Sequence, residues 1–205
     1  MKKKKFLFLC LIIFLFGEVT SFARHVKPIT DSSTFTADTS KINALLKSGS
    51  MYFRKGQVDE AEKIAAMAEA HSKKLGYQQG YIMSLNLYAR VYYRRGNYDS
   101  SISYSSQALK LAQQINDSVL QSSSLIALGS ANSYMGNNNQ AIDYYFKGLA
   151  IEEKLKQQEN LQWYFNNIGN VFSNMKNYPK ALEYTIKAKN IVEKSTDKKY
   201  LGMVY

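Results

Sequence analysis

Ser195-Thr196-Asp197-Lys198 fits the Ser-x-x-Lys spacing in which a lysine can activate a serine nucleophile. It falls on a link between helical segments, and a four-residue match of this kind arises often by chance. His71 stands beside Lys73 and Lys74 near a helix end, where the helix dipole favours a solvated imidazole over a metal ligand. Asn116-Asp117-Ser118 is a formal glycosylation sequon, but Asp117 is better placed to cap a helix. The chain has no glycine-rich phosphate loop, no His-Glu-x-x-His and no Gly-x-Ser-x-Gly. One cysteine and two histidines exclude a disulfide framework and a multi-cysteine zinc site. The expectation is a protein that is not an enzyme and takes no cofactor or metal.

The composition is that of a folded chain. Of 205 residues, 45% are hydrophobic and 21% charged, too apolar for intrinsic disorder. Two prolines and 11 glycines exclude collagen-like and proline-rich classes. Tyrosine is abundant at 16 and needs a structural role.

The N-terminus reads as an address. Residues 2–5 are lysines, residues 6–16 are an unbroken apolar run, and Ser21-Phe22-Ala23 supplies small residues at the −3 and −1 positions of a cleavage site. This predicts a signal peptide over residues 1–23 and an exported, periplasmic or cell-envelope location in a bacterium. The rival is an uncleaved anchor, for which an apolar run of 11 residues is short of the ~20 that a bilayer needs. Cys10 lies inside the run, where a lipoprotein cysteine would not. Cleavage removes four lysines and one glutamate from a net charge of +11 and leaves about +8. An exported basic surface points to acidic peptides or anionic head groups, or to no more than a solvated lysine-rich exterior; no nucleic-acid contact is expected through this fragment. Membrane contact is expected only through an uncleaved signal segment or a helix downstream of Tyr205. Residues 24–40, rich in Ser, Thr and Asp and without helical period, predict a flexible linker.

A step of 40 residues governs the remainder. Gly56-Gln57-Val58-Asp59-Glu60-Ala61, Gly96-Asn97-Tyr98-Asp99-Ser100-Ser101, Gly136-Asn137-Asn138-Asn139-Gln140-Ala141 and Lys176-Asn177-Tyr178-Pro179-Lys180-Ala181 align without gaps. Gly49, Ala89, Gly129 and Gly169 share one upstream position, and Ala68, Ala108, Gly148 and Ala188 share one downstream. Apolar and aromatic residues recur at three- and four-residue spacing on both sides of each Gly-Asn turn, so each unit reads as two antiparallel helices. The units run over about 41–76, 77–116, 117–156 and 157–196. Small residues of the first helix are expected to meet Ala61, Ser101, Ala141 and Ala181 of the second, with tyrosines filling the surrounding space.

Leu128-Gly129, then Gly136-Asn137, then Ala141-Ile142-Asp143-Tyr144-Tyr145-Phe146-Lys147-Gly148-Leu149 resemble the tetratricopeptide repeat. The resemblance covers roughly residues 41–205, and its unit is longer than the usual 34 residues. That longer form is similar to repeats in the N-terminal sensory regions of bacterial signalling proteins. The resemblance implies an all-α fold: a right-handed superhelical solenoid of antiparallel helix pairs whose first helices line a concave face that takes a protein or extended peptide. Carried over position by position, the groove comprises Asn43, Leu46, Ser50 and Phe53 of the first unit and Met83, Asn86, Arg90, Tyr93 and Arg94 of the second. The third contributes Ser130 and Tyr134, with Ser133 beside them. The fourth contributes Trp163, Asn166, Asn170 and Asn174, with Ser173. Asn amides can pair with a peptide backbone, and Arg90 and Arg94, one turn apart, could hold a carboxylate.

Continuing the register, Asp197 aligns with Asp117 and Met203 with Met83, so residues 197–205 read as the start of a fifth, truncated unit. Leu182, Ile186 and Ile191 are then expected to lie partly open. Two functions fit: an exported, non-catalytic interaction scaffold, or the N-terminal sensory part of a longer signal-transduction protein such as a membrane histidine kinase or a helix-turn-helix regulator.

Overall fold

The computed structural model describes residues 32–156 and 158–194. The expected signal segment and fifth-unit start lie outside them. Among the described residues the chain forms α1 (Ser32–Arg54), α2 (Val58–Leu75), α3 (Gln78–Arg94), α4 (Tyr98–Gln114), α5 (Ser118–Tyr134), α6 (Asn138–Leu155), α7 (Gln158–Asn174) and α8 (Tyr178–Lys194), and no strand.

Helix α1 begins at Ser32, so residues 32–40 are helical where a flexible linker was expected. The reason is propagation. Ile42 and Leu46 are buried and anchor the helix, and extending an existing helix costs far less than nucleating one. The added turns are held locally, by Thr39 Oγ1 donating to the Thr36 carbonyl at 3.0 Å and by Lys41 pairing with Asp38 at 3.2 Å.

The turn inside each pair requires a left-handed residue. Gly56, Gly96 and Gly136 supply it at φ 78°, 75° and 79°, and Lys176 adopts φ 59° in the fourth unit. A side chain there costs about 1 kcal/mol, which explains the glycine in the other three. Among the described residues three helices carry side-chain caps. Asn97 Oδ1 accepts from Ser100 N and Asp117 Oδ1 accepts from Leu120 N, both at 3.0 Å; the third, Asn177 Oδ1 accepting from Lys180 N at 3.3 Å, is the longest. Asp117→Ala is expected to cost about 1 kcal/mol, read as a lower urea midpoint. An unchanged midpoint would show the cap to be redundant.

Each helix packs on its chain neighbours, and the first helices α1, α3, α5 and α7 also touch one another, whereas successive second helices do not. The stack is therefore a right-handed superhelical solenoid with the first helices on the inner face. The core runs along it as linked clusters. Ile42, Leu46, Phe53, Leu87, Tyr88 and Val91 join the first two units, and Tyr145, Leu149, Tyr164, Ile168, Val171 and Phe172 join the last two.

Aromatic rings occupy the seams. Tyr104 stacks on Tyr88 and Tyr92 with centroids 5.0 and 5.4 Å apart, and Tyr184 stacks on Phe172 at 5.6 Å. The small residues work differently from the expectation of small meeting small. Of the three glycines at this position, only Gly169 would place an added Cβ beside its expected small partner, 3.3 Å from the Ala181 carbonyl oxygen. A Cβ on Gly129 would lie 2.5 Å from the Tyr145 ring, and one on Gly49 would press on Ile64 and Leu87. These glycines make room for a large side chain from the facing helix.

Units three and four share a polar joint. Glu152, buried at 2% exposure, accepts from Ser122 Oγ and, at 3.0 Å, from Asn160 Nδ2. The Tyr164 hydroxyl donates to the Ser122 carbonyl at 2.8 Å. At the far end Leu182 and Ile186 are 62% and 47% exposed and Ile191 is half-buried, in line with the expectation for that face.

Candidate functional site

The inner face is built from the outward turns of α3, α5 and α7. Neither α3 nor α5 contains an aspartate or glutamate; the acidic residues between positions 59 and 153 lie on α2, α4 and α6, apart from Asp117 in a turn. The α3 and α5 part of the face is therefore neutral or cationic, and its two ends differ.

At the end formed by the first two units, two arginines converge on one ring and a third, Arg54, adds its charge nearby. The Arg90 guanidinium lies 4.3 Å above the centroid of Phe53 and that of Arg94 lies 4.8 Å from it. Such stacking holds a planar cation without neutralising it. Burial lowers the pKa of Arg90 below its ordinary value, and the charges of Arg54 and Arg94 lower it further. Its hydrogen bond to protein is a long one, from Nη1 to Ser50 Oγ at 3.5 Å. No carboxylate among the described residues pairs with Arg54, Arg90 or Arg94, whereas Arg95 nearby is held by Asp59 and Glu62 at 2.6 and 2.8 Å. Asn86, one turn before Arg90, is buried. Its Oδ1 accepts from Ser124 Oγ at 2.9 Å, and its Nδ2 has no partner.

At the other end lies a cavity of about 480 Å³ lined by Tyr93, Ser130, Ser133, Tyr134, Tyr145, Asn167, Asn170, Ser173 and Asn174. Tyr93, Tyr134 and Tyr145 supply its rings; Tyr93 meets Tyr134 edge-on at 5.1 Å, and Tyr98, outside the lining, lies 5.5 Å from Tyr134. The Tyr145 hydroxyl reaches through from α6 and donates to Ser130 Oγ at 3.1 Å. Burial pushes the Tyr145 phenol up to about 12, and burial followed by the Tyr134 hydroxyl pushes Tyr93 up as well. Both phenols are neutral donors at ordinary pH. No charged side chain lines the cavity.

Of the groove residues read from sequence, Tyr93, Ser130, Tyr134, Asn170 and Asn174 gather at this cavity. Asn86, Arg90 and Arg94 form the cationic end instead. Trp163, 42% exposed, and Asn166, half-buried, do not line the cavity. Sequence reasoning missed Tyr145 and Asn167. Tyr145 belongs to a second helix, and the signal that could have found it is Gly129, whose missing side chain lets the ring pass. Among the described residues no three His, Cys, Asp or Glu side chains gather where a metal could sit, and no helix is long and apolar enough to cross a membrane.

The fold and this groove define an all-helical repeat solenoid with an open inner face. The tetratricopeptide repeat model matches residues 40–114 and again 81–154, and the chain belongs to that family. No curated protein sequence matches it. Among solved structures it is similar to aspartyl phosphate phosphatase F from Bacillus subtilis, at 20% identity and TM-score 0.70, over 80% of this chain and 43% of that one. It is similar also to the apo form of RapI, at 18% identity and TM-score 0.70, over 100% and 75%. A third is a signal transduction ATPase with numerous domains and a tetratricopeptide repeat sensor from Pyrococcus horikoshii, at 18% and TM-score 0.61, over 80% and 25%. The chain thus spans less than half of the phosphatase and a quarter of the ATPase, and at these identities the likeness is one of fold.

Proposed function

We propose that the protein is a non-catalytic scaffold that binds a protein or an extended peptide along the inner face of its solenoid, with a preference for acidic partners. One observation carries this reading: Arg90 and Arg94 stack on Phe53, within reach of the charge of Arg54, and no carboxylate among the described residues neutralises them. Like charges held together cost free energy that an arriving carboxylate would recover, through charge-assisted hydrogen bonds stronger than neutral ones. Helix α1 brings Phe53 and α3 brings both arginines, so this arrangement exists only where two units stack.

The test is a double substitution. Arg90→Ala with Asn170→Ala is expected to weaken binding of peptides selected against the full chain by roughly 10- to 100-fold, about 1.4–2.8 kcal/mol. Asn170 is exposed and Arg90 is half-buried against Phe53, so helicity by circular dichroism, expected to stay near the wild-type level, is the control for folding. Wild-type affinity in that variant would sink the groove assignment.

A second reading draws support from the likeness to an ATPase whose repeats serve as a sensor. In it the chain is the N-terminal, ligand-binding part of a longer bacterial signal-transduction protein, and the same groove takes the signal. Both readings place the protein outside the inner membrane, on the strength of the lysines at 2–5, the apolar run at 6–16 and the small residues before Arg24. Mass spectrometry of the protein recovered from the periplasm is expected to find Arg24 at its N-terminus.

A further inference from the structure

The cavity at the third and fourth units has a chemistry of its own, distinct from the arginine end. Its lining is uncharged: three tyrosines, three serines and three asparagines. Asn170, Asn174, Ser133 and Ser173 make no side-chain hydrogen bond among the described residues. The side chains of Asn170, Ser173 and Asn174 are exposed, and Tyr134 above them is 66% exposed.

Three classes of occupant follow from elementary energetics. A charged side chain entering such a site would give up hydration with no counter-charge to meet it. An aliphatic side chain would cover amides and hydroxyls that then lose water without replacement, at about 1–3 kcal/mol for each group left unsatisfied. A neutral group that both donates and accepts meets neither penalty. The carboxamide of Asn or Gln is such a group: it pairs reciprocally with another carboxamide, and its flat face lies well on a phenol ring. The same mixture of rigid tyrosines and adaptable Ser and Asn is what antibody paratopes use against polar protein surfaces. The volume, about 480 Å³, exceeds one side chain and accommodates a short run.

Resting on the groove reading above, we infer that the Tyr93–Tyr134–Tyr145–Asn170–Asn174 cavity holds an uncharged, carboxamide-rich stretch of the partner peptide, beside the acidic residue held at Arg90 and Arg94. The two subsites share α3, since Tyr93, which lines the cavity, lies between Arg90 and Arg94 in the sequence of that helix. Successive helices pack about 8–10 Å apart and an extended chain covers about 3.3 Å per residue. The acidic residue and the carboxamide run therefore lie within a few residues of each other in the partner.

The experiment is selection of a random twelve-residue displayed peptide library on the full chain and on two variants. On the wild type, enriched peptides are expected to carry an Asp or Glu followed or preceded closely by Asn or Gln. In Asn170→Leu/Asn174→Leu the Asn and Gln enrichment is expected to fall by ~5-fold or more while the acidic enrichment stays. In Arg90→Gln/Arg94→Gln the converse is expected. Enrichment of aliphatic or charged residues in place of the carboxamides, or an unchanged profile in the leucine variant, overturns the inference while leaving the groove in place. Displacement of the selected peptides by a neutral oligosaccharide such as maltotriose, abolished in the leucine variant, reassigns the cavity to glycans and likewise overturns it. No enrichment on the wild type at all fails the groove reading itself.

Discussion

Gly148→Ala is expected to destabilise the protein by about 2–3 kcal/mol, although the repeat register recommends it. Ala68, Ala108 and Ala188 occupy the equivalent position, and glycine within a helix costs about 1 kcal/mol relative to alanine. A substitution towards the other units would on that ground be stabilising. The facing side chain reverses the sign. A Cβ on Gly148 would lie 2.5 Å from Tyr164 Cζ, well inside van der Waals contact. Tyr164 is fully buried and tethered by its hydroxyl to the Ser122 carbonyl, so the ring has nowhere to retreat. Overpacking of this kind costs up to about 3 kcal/mol, and displacing the ring adds about 1 kcal/mol for the lost hydrogen bond. In the second and third units the residue in the register of Tyr164 is Ser84 or Ser124, which leaves space for alanine. A double-mutant cycle in urea checks the cause. Adding Tyr164→Ser is expected to be less costly by about 1–3 kcal/mol in the Gly148→Ala background than in the wild type. Additive costs would show that the two residues do not compete for the same space.

The second large effect is alkaline unfolding. Burial pushes the Tyr145 phenol up to about 12 and also raises Tyr164, Tyr88 and Tyr93. For Tyr88 the nearby Glu69 contributes next after burial, and for Tyr164 Glu152 adds to it while the Ser122 hydrogen bond works the other way. The direction of the pH dependence follows from linkage. An unfolded phenol releases its proton near pH ~10, whereas the folded one retains it. The stabilisation is therefore complete below pH ~10 and is lost as pH rises towards the folded value. Each such group costs about 1.4 kcal/mol per pH unit over that window. The two fully buried tyrosines, Tyr145 and Tyr164, together remove about 3 kcal/mol by pH ~11. That is a large fraction of the ~5–15 kcal/mol that holds a typical domain. Loss of helical circular dichroism is expected to coincide with a late phase of tyrosinate absorbance, and Tyr145→Phe is expected to move that phase to higher pH. Ionisation of every tyrosine in one step with helicity intact would refute the account.

The groove was legible only in part, and the division is instructive. Residues that repeat at one position of the first helices, such as Ser130 and Asn170, could be placed on the inner face because a 40-residue step assigns every helix the same orientation. That argument treats all first-helix positions alike. It therefore could not separate Arg90 and Arg94, which stack on Phe53, from Tyr93, which turns towards Tyr134 on the next unit. Nor could it admit Tyr145, a second-helix residue in the register of Ala65 and Ser105, which enters the cavity through the gap at Gly129.

By itself the sequence determined the architecture: antiparallel helix pairs that turn at a recurrent Gly-Asn position and nest on a fixed step. It could do so because periodicity and turn geometry are local, and each unit states them again. The tertiary structure alone decided which of the small positions are true contacts, which tyrosines are buried, and that the inner face divides into a cationic and a neutral half. Those outcomes depend on one side chain meeting another from a different helix, as Gly148 meets Tyr164 and Phe53 meets Arg90. Such pairs obey packing volume and charge, which no repeat register records.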